Sequence, residues 1–206
     1  AVTNTTIHAR LKTGLSAGSY SGNISCTSTN VTTQNIAISG AVQHTSTTLY
    51  VDDSGDDDNN TGLSSSSPYA TLANAINLSQ DGVGITINIG AGTYTEHTVN
   101  VNKSNLTITG AGSSSSIFDS NTTNKGFMSI TANNVTVEKI KIKDYNFTSA
   151  ETTSNAYGGG AIRVGAVPGV ASVNSTFSSI VFNDIYFHNN STNAASGDGG
   201  AIAMIS

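Results

Sequence analysis

The feature that most limits what this chain can fold into is a repeat. Gly159-Gly160-Ala161-Ile162 returns as Gly199-Gly200-Ala201-Ile202, 40 residues on. A return distance in the 20–50 residue range marks chains built from stacked, similar units. The surroundings repeat as well: the run from Val135 to Phe147 stands before the first copy much as Phe177 to Asn190 stands before the second. A stack of this kind buries its inward positions against its neighbours, so function is to be sought on its outer surface.

The rest of the chain is consistent with such a stack. Only 10% of residues are charged, while 36% are apolar and fall in short alternating runs, which is not a disordered profile. Ile85, Ile87 and Ile89 alternate, then Val99 and Val101, Leu106 and Ile108, Val135 and Val137, Ile140 and Ile142, Ile185 and Phe187. Alternation of this length is the period of a half-buried strand. Ile142 and Phe187 are therefore expected to point inward. Asn133, Asn134, Asn189 and Asn190 fall between runs, where asparagine suits tight corners. Two-residue hairpin turns are scarce and one helical segment precedes all the repeats, which disfavours an antiparallel barrel or sandwich. About four or five turns of the stack are expected, with further ones beyond the present chain.

Three strand-like runs come first, at residues 6–12, 19–28 and 33–43, too few to cover both faces of a sandwich. A linker follows at 45–48. Leu49-Tyr50-Val51 then opens the larger segment, 49–206. Pro68 and the residues after it predict one short helix over about 68–80, since Leu72, Ala75 and Ile76 share a helical face and Pro favours a first turn. The stretch Gly92-x-Tyr94-x-Glu96 turns the next corner.

The order strand, Gly-Asp loop, Pro-aromatic, helix, strand, G-x-Y-x-E resembles the opening of right-handed parallel β-helix proteins of the pectate-lyase-like superfamily. In that family a short helix caps the first coil. The Gly-Gly-Ala-Ile and F-x-x-N elements (Phe187 to Asn190) are similar to repeats of polymorphic surface proteins and adhesin-like β-helix proteins. Residues 1–44 resemble the C-terminal half of immunoglobulin-like β-sandwich modules in secreted proteins of Bacteroidetes-type bacteria, through Gly18, Tyr20, Gly22 and Ile24. The fold class implied is all-β: a right-handed parallel β-helix with an N-terminal capping helix, preceded by a partial β-sandwich module. One departure is the stretch 165–176, which interrupts a repeat and is expected to form a loop on one face.

Net charge is −5 and no basic patch exists, which excludes a nucleic-acid partner. No stretch approaches the ~18 apolar residues of a membrane helix. Cys26 is the sole cysteine, so no disulfide framework exists within the chain. No leader is visible, and the chain reads as part of a longer extracellular or cell-surface protein.

Candidate chemistry falls in two places. Asp52, Asp53, Asp56, Asp57 and Asp58 crowd hard oxygen donors into one loop, the ligand type that Ca2+ takes. They do not follow the spacing of a helix–loop–helix calcium loop. The resemblance implies that a lyase would hold Ca2+ on adjacent coils and use an Arg or Lys as base. The residues available are Arg163 and Lys143 with Asp144, Asp184, Asp198 and Glu138, and their spacing gathers no three on one face. Asp184 and His188 lie four residues apart in one strand and are expected to share a face. His8, His44, His97 and His188 read as surface residues. Tyrosines such as Tyr50, Tyr69, Tyr94 and Tyr186 could stack on sugars. The expected function is a non-catalytic, adhesin-like segment that contacts extracellular polysaccharide, a host or cell-surface glycan, or protein. The other expectation is a polysaccharide lyase or glycoside hydrolase with its active site in later coils; a spacer that binds nothing is the third.

Overall fold

The computed structural model describes residues 6, 8–13, 15–121, 125–147, 161–165, 178–192 and 200–204. The protein is mostly β, with one short helix among the described residues. It divides into two compact units, Ala1–His44 and Thr45–Ser206.

In the first unit, β1 (Gly18–Ser28) and β2 (Val31–Val42) form an antiparallel hairpin, in register from Gly18 opposite Val42 to Cys26 opposite Gln34. Asn30 makes the turn with a positive φ of 62°. The first of the expected strands, at 6–12, is not seen among the described residues: residues 8–12 pair with neither strand edge.

The second unit contains β3 (Thr48–Val51), helix α1 (Leu72–Leu78), β4 (Ile85–Ile89), β5 (Gly92–Tyr94), β6 (Val99–Val101), β7 (Leu106–Gly110), β8 (Ser116–Asp119), β9 (Met128–Ile130), β10 (Val135–Lys143), β11 (Asn146–Phe147), β12 (Ile162–Val164), β13 (Ile180–His188), β14 (Ser191–Thr192) and β15 (Ile202–Met204). Every strand pairing among its described residues is parallel. One ladder joins β3, β4, β7 and the first halves of β10 and β13. A second joins β5, β8 and the second halves of β10 and β13. A third joins β6, β9, β12 and β15. The chain visits the three in cyclic order and returns to the first one strand further along. The sequence repeat is visible in this order: Ile162 of the first Gly-Gly-Ala-Ile stands directly beside Ile202 of the second.

Register stacks like upon like. Leu49, Ile87, Ile108, Val137 and Phe182 form one inward column, and Ile85, Leu106, Val135 and Ile180 another. An aromatic row runs through the interior: Tyr94 stacks on Phe118 at 5.1 Å, and tilted pairs follow, Phe118 with Phe127 at 4.4 Å and Phe127 with Tyr145 at 5.4 Å. Ring pairs at these separations add attraction beyond the area they bury.

The corners are made by residues in the left-handed region, and these recur from turn to turn. Asn105, Asn134 and Ser179 precede successive strands of the first ladder; Lys139 and Asp184 bend β10 and β13 in mid-strand; Asp144 and Asn189 follow. Asparagine tolerates this backbone and bonds its neighbours from it. The Asn134 side chain donates to Asn105 Oδ1 at 2.9 Å, and Asn190 donates to the Ile142 carbonyl at 2.8 Å.

The two ends of the stack differ. At the β3 end, the backbone of Gly62 and Tyr69 bonds to Tyr50, and Asp52 N–H donates to the Tyr69 carbonyl, so that edge is covered. Gly62 has a φ of 67°, and a Cβ there would run into the Tyr69 ring. Helix α1 packs on β3, β4 and β6 through Leu72, Ala75 and Ile76, all buried. It is shorter than expected, because Tyr69 is held in a bridge with Val51 and Thr71 is its N-cap, accepting from Asn74 N–H. At the other end, Ile180, Phe182, Ile185 and Phe187 of β13 are only partly buried.

Candidate functional site

The outward positions of the first ladder are aligned by the same register that stacks the core. Tyr50, Asn88, Thr109, Glu138 and Asn183 form one outward column. Thr48, Thr86, Thr107 and Thr136 form the next, ending at Val181. The column is knitted at its far end: Thr109 Oγ1 donates to Glu138 Oε1 at 3.0 Å, and Asn183 Nδ2 donates to Glu138 Oε2 at 3.2 Å. Lys139 Nζ stands 3.5 Å from the same carboxylate. These donors hold the Glu138 carboxyl below its ordinary range, the Asn183 amide contributing most. At the near end the surface opens into a cleft of about 240 Å3, lined by Tyr50, Asp52, Pro68, Asn88 and Thr109. Gly90 floors it, and a Cβ there would meet the Asp52 carboxylate.

A second group sits on the outward side of the second ladder. Lys143 Nζ lies 2.7 Å from Asp119 Oδ2 and 3.3 Å from Asp144 Oδ2. Asn189 donates to Asp144 Oδ1 at 2.7 Å, and this bond leads in holding the Asp144 carboxyl below the usual range. Lys141 Nζ stands 5.0 Å from the centroid of the Tyr186 ring.

The candidate acids and bases do not converge. Arg163 is buried, on β12 of the third ladder, beside Ser129 and Ala203 in register. Asp184 occupies a bend, where Ser113 Oγ donates to it at 3.0 Å. Because Asp184 is left-handed, the alternation shifts there: Asn183 belongs to the first ladder and His188 to the second, so Asp184 and His188 do not lie along one flat face. Asp198 and most of the 165–176 stretch lie outside the described residues. Of the histidines expected on the surface, His8 and His188 are exposed, His97 is half-buried and His44 is buried.

The acidic loop is a hydrogen-bonded joint. Asp52 Oδ1 accepts from the Ser54 backbone and hydroxyl, which lowers its pKa. Asp56 accepts from the Asn59 side chain and from the Asp58 and Asn59 backbone. Asp57 accepts from Ala70 N–H, Thr71 N–H and the Thr71 hydroxyl, and Asp53 from Thr93 N–H. Among the described residues no three His, Cys, Asp or Glu side chains stand where they could share one metal ion. Sequence reasoning missed Glu96: its carboxylate accepts from Leu72 N–H at 2.7 Å and Ala73 N–H at 2.9 Å, closing the start of α1. Glu96 stands in the G-x-Y-x-E stretch, but beyond the end of β5, so strand alternation gave no signal for its role.

Protein-family models, curated proteins and solved structures yield no match to this chain.

Proposed function

We propose that unit 45–206 is a right-handed parallel β-helix of the pectate-lyase-like kind, and that it acts as a non-catalytic, glycan-contacting segment of an extracellular surface protein. The fold reading is supported by the cyclic order of three parallel ladders and by the strong right-handed bias of parallel crossover connections. The functional reading rests on one observation, the outward column Tyr50, Asn88, Thr109, Glu138, Asn183. Its rungs repeat about every 4.8 Å, so it runs roughly 20 Å across the strands. It offers an aromatic face at one end and amide and hydroxyl groups beyond it, the equipment for an extended, uncharged sugar polymer. Its only carboxylate is already engaged by Thr109, Asn183 and Lys139.

Electrostatics weighs against a glycoside-hydrolase centre at these carboxyls, and the scatter of Arg163, Asp144 and Asp184 weighs against a lyase centre. A general acid needs a carboxyl whose pKa is raised toward neutrality. Those of Glu138 and Asp144 are lowered. Glu96 is raised, chiefly by burial, but serves the helix backbone. Calcium on the acidic loop is a separate test: a Tm lowered by EDTA would support it, and an unchanged Tm would leave the loop a hydrogen-bonded joint.

The test is a pull-down against neutral glycans, polygalacturonate and alginate with added Ca2+, with ultraviolet detection of unsaturated product. Binding to a neutral glycan without product is expected. Tyr50→Ala should weaken it about tenfold, the loss of roughly 1.4 kcal/mol of contact, with Tm unchanged because the side chain faces out. Unsaturated product would mean a lyase. No binding to any polymer would leave a spacer.

A further inference from the structure

We infer that the cleft at the β3 end of the outward column is a terminal subsite: it seats one uncharged sugar at the end of a glycan chain, with Asp52 setting the choice against a charged one. The inference rests on the glycan-contacting reading and adds to it where the chain stops and which sugar is admitted. The cleft lies at the last rung. Tyr50 N–H donates to the Gly62 carbonyl and Tyr69 N–H donates to the Tyr50 carbonyl, both at 2.9 Å, so the cap segment takes the place of a further strand. Pro68 and Ser65 of that segment line the cleft together with Tyr50, Asp52 and Asn88. Its volume of about 240 Å3 is below the roughly 300–1,000 Å3 of pockets for drug-sized ligands, which suits a single ring.

The polar groups of the column are engaged at one end and open at the other. Thr109, Glu138 and Asn183 bond one another. Within the described residues no hydrogen bond uses the Tyr50 hydroxyl or the Asn88 amide. Both side chains are half-buried and stand side by side in register. A ligand that covers them must supply their partners. A sugar ring brings hydroxyls for both and an apolar face for the Tyr50 ring. Asp52 is held in place between them and the cap. Its Oδ1 accepts from Ser54 N–H at 3.1 Å and from the Ser54 hydroxyl at 2.6 Å. Gly90 leaves the room that Oδ2 occupies, since a Cβ there would run into it. The Ser54 bonds hold the Asp52 carboxyl below its ordinary range, so it is ionised at neutral pH. Asp53 adjoins it, and both act on the Tyr94 hydroxyl, which donates to the Gly90 carbonyl at 3.0 Å. A fixed carboxylate accepts strongly from a sugar hydroxyl, and with Asp53 beside it repels a carboxylate or sulfate. Among the described residues no Lys or Arg lines the cleft to offset that charge.

A glycan microarray read by dilution of the full chain, with EDTA in the buffer, tests this. It carries matched pairs of chains that differ only in whether the terminal sugar is a neutral hexose or a uronate. The neutral-ended member of a pair should bind at least about tenfold more tightly. Asp52→Asn keeps an oxygen for the Ser54 donors, so Tm should hold while that preference narrows about tenfold. Asn88→Ala should weaken neutral-ended chains about tenfold and leave the preference intact, because the charge stays. Asp58→Asn removes a charge from the same loop at a residue that does not line the cleft, and should bind as the wild type. Equal binding of both members of a pair, or binding that Asp52→Asn and Asn88→Ala both leave unchanged, overturns the terminal subsite while the glycan-contacting column stands. No binding of any glycan by the wild type overturns both.

Discussion

Ile142→Asp should unfold the unit of residues 45–206, whereas Phe187→Asp should weaken it and leave it folded. The two residues are neighbours in register, Ile142 on β10 and Phe187 on β13, in the inward column that begins with Tyr94 and Phe118. They differ in what covers them. Ile142 is fully buried, with Phe118 on one side and Phe187 on the other. Removing an aliphatic side chain of that size from a core costs about 2–5 kcal/mol. A carboxylate there has no partner, and an unpaired buried charge adds several more. The sum reaches the whole stability of an ordinary domain, about 5–15 kcal/mol. Phe187 is partly buried, on the last strand of its ladder. An Asp there can turn to water, and the loss should be about 2–3 kcal/mol, mostly of transfer. Urea titration followed by circular dichroism separates the two. If both variants kept the wild-type midpoint, the inward register would be refuted. If Phe187→Asp were as damaging as Ile142→Asp, the β13 end would be as closed as the β3 end.

The core was legible in the sequence because its signal is local. The alternation of Ile85, Ile87 and Ile89 or of Val135 and Val137 needs no knowledge of partners, and these residues are all buried. The asparagine corners were legible for the same reason, and Asn134 and Asn189 are left-handed. The outward column was not. Tyr50 and Glu138 lie far apart in sequence, and nothing but the register of β3, β4, β7 and β10 puts them in line. That register depends on loops of unequal length: Ile85 pairs with Leu106, Leu106 with Val135, and Val135 with Ile180, three different returns. The single 40-residue spacing describes only the pairing of β12 with β15. The hydrogen bonding of the acidic loop was not legible either. Composition shows five carboxylates but not which backbone N–H groups face them, and side-chain-to-backbone bonds of the Asp52–Ser54 kind compete for the same oxygens as a metal. Asp184 shows the limit of strand periodicity, since one left-handed residue resets the alternation for all that follow.

Glu96 should make this unit less stable as pH rises above the ordinary carboxyl range, and Glu96→Gln should remove that dependence. Its carboxylate is largely withdrawn from water behind α1, and burial, the largest influence, raises its pKa despite the Leu72 and Ala73 N–H groups that favour the ion. Asp57 pushes in the same direction. An acid whose folded pKa exceeds its unfolded value keeps its proton longer in the folded state. Stability then falls as pH climbs from the unfolded pKa to the folded one, and is flat beyond. The carboxyls with lowered pKa, Asp52, Asp56, Glu138 and Asp144, act oppositely, losing stability as pH falls. The difference in Tm between wild type and Glu96→Gln cancels their part. That difference should shrink or turn against the wild type with rising pH. A wild type that gains on Glu96→Gln as pH rises would show that the two N–H bonds outweigh burial. Glu96→Ala tests the geometry alone. It strands the buried Leu72 N–H, while Ala73 is exposed and water replaces its partner, so the loss should be about 2–3 kcal/mol below the range in which Glu96 titrates and smaller above it. The effect should appear first as unwinding of α1, because Asp57 would remain as the only carboxylate bonded to the segment just ahead of it, through Ala70 and Thr71. Hydrogen exchange at Leu72 and Ala75 reads that step, and a uniform rise in exchange across β4 and β7 instead would mean that helix and stack unfold as one.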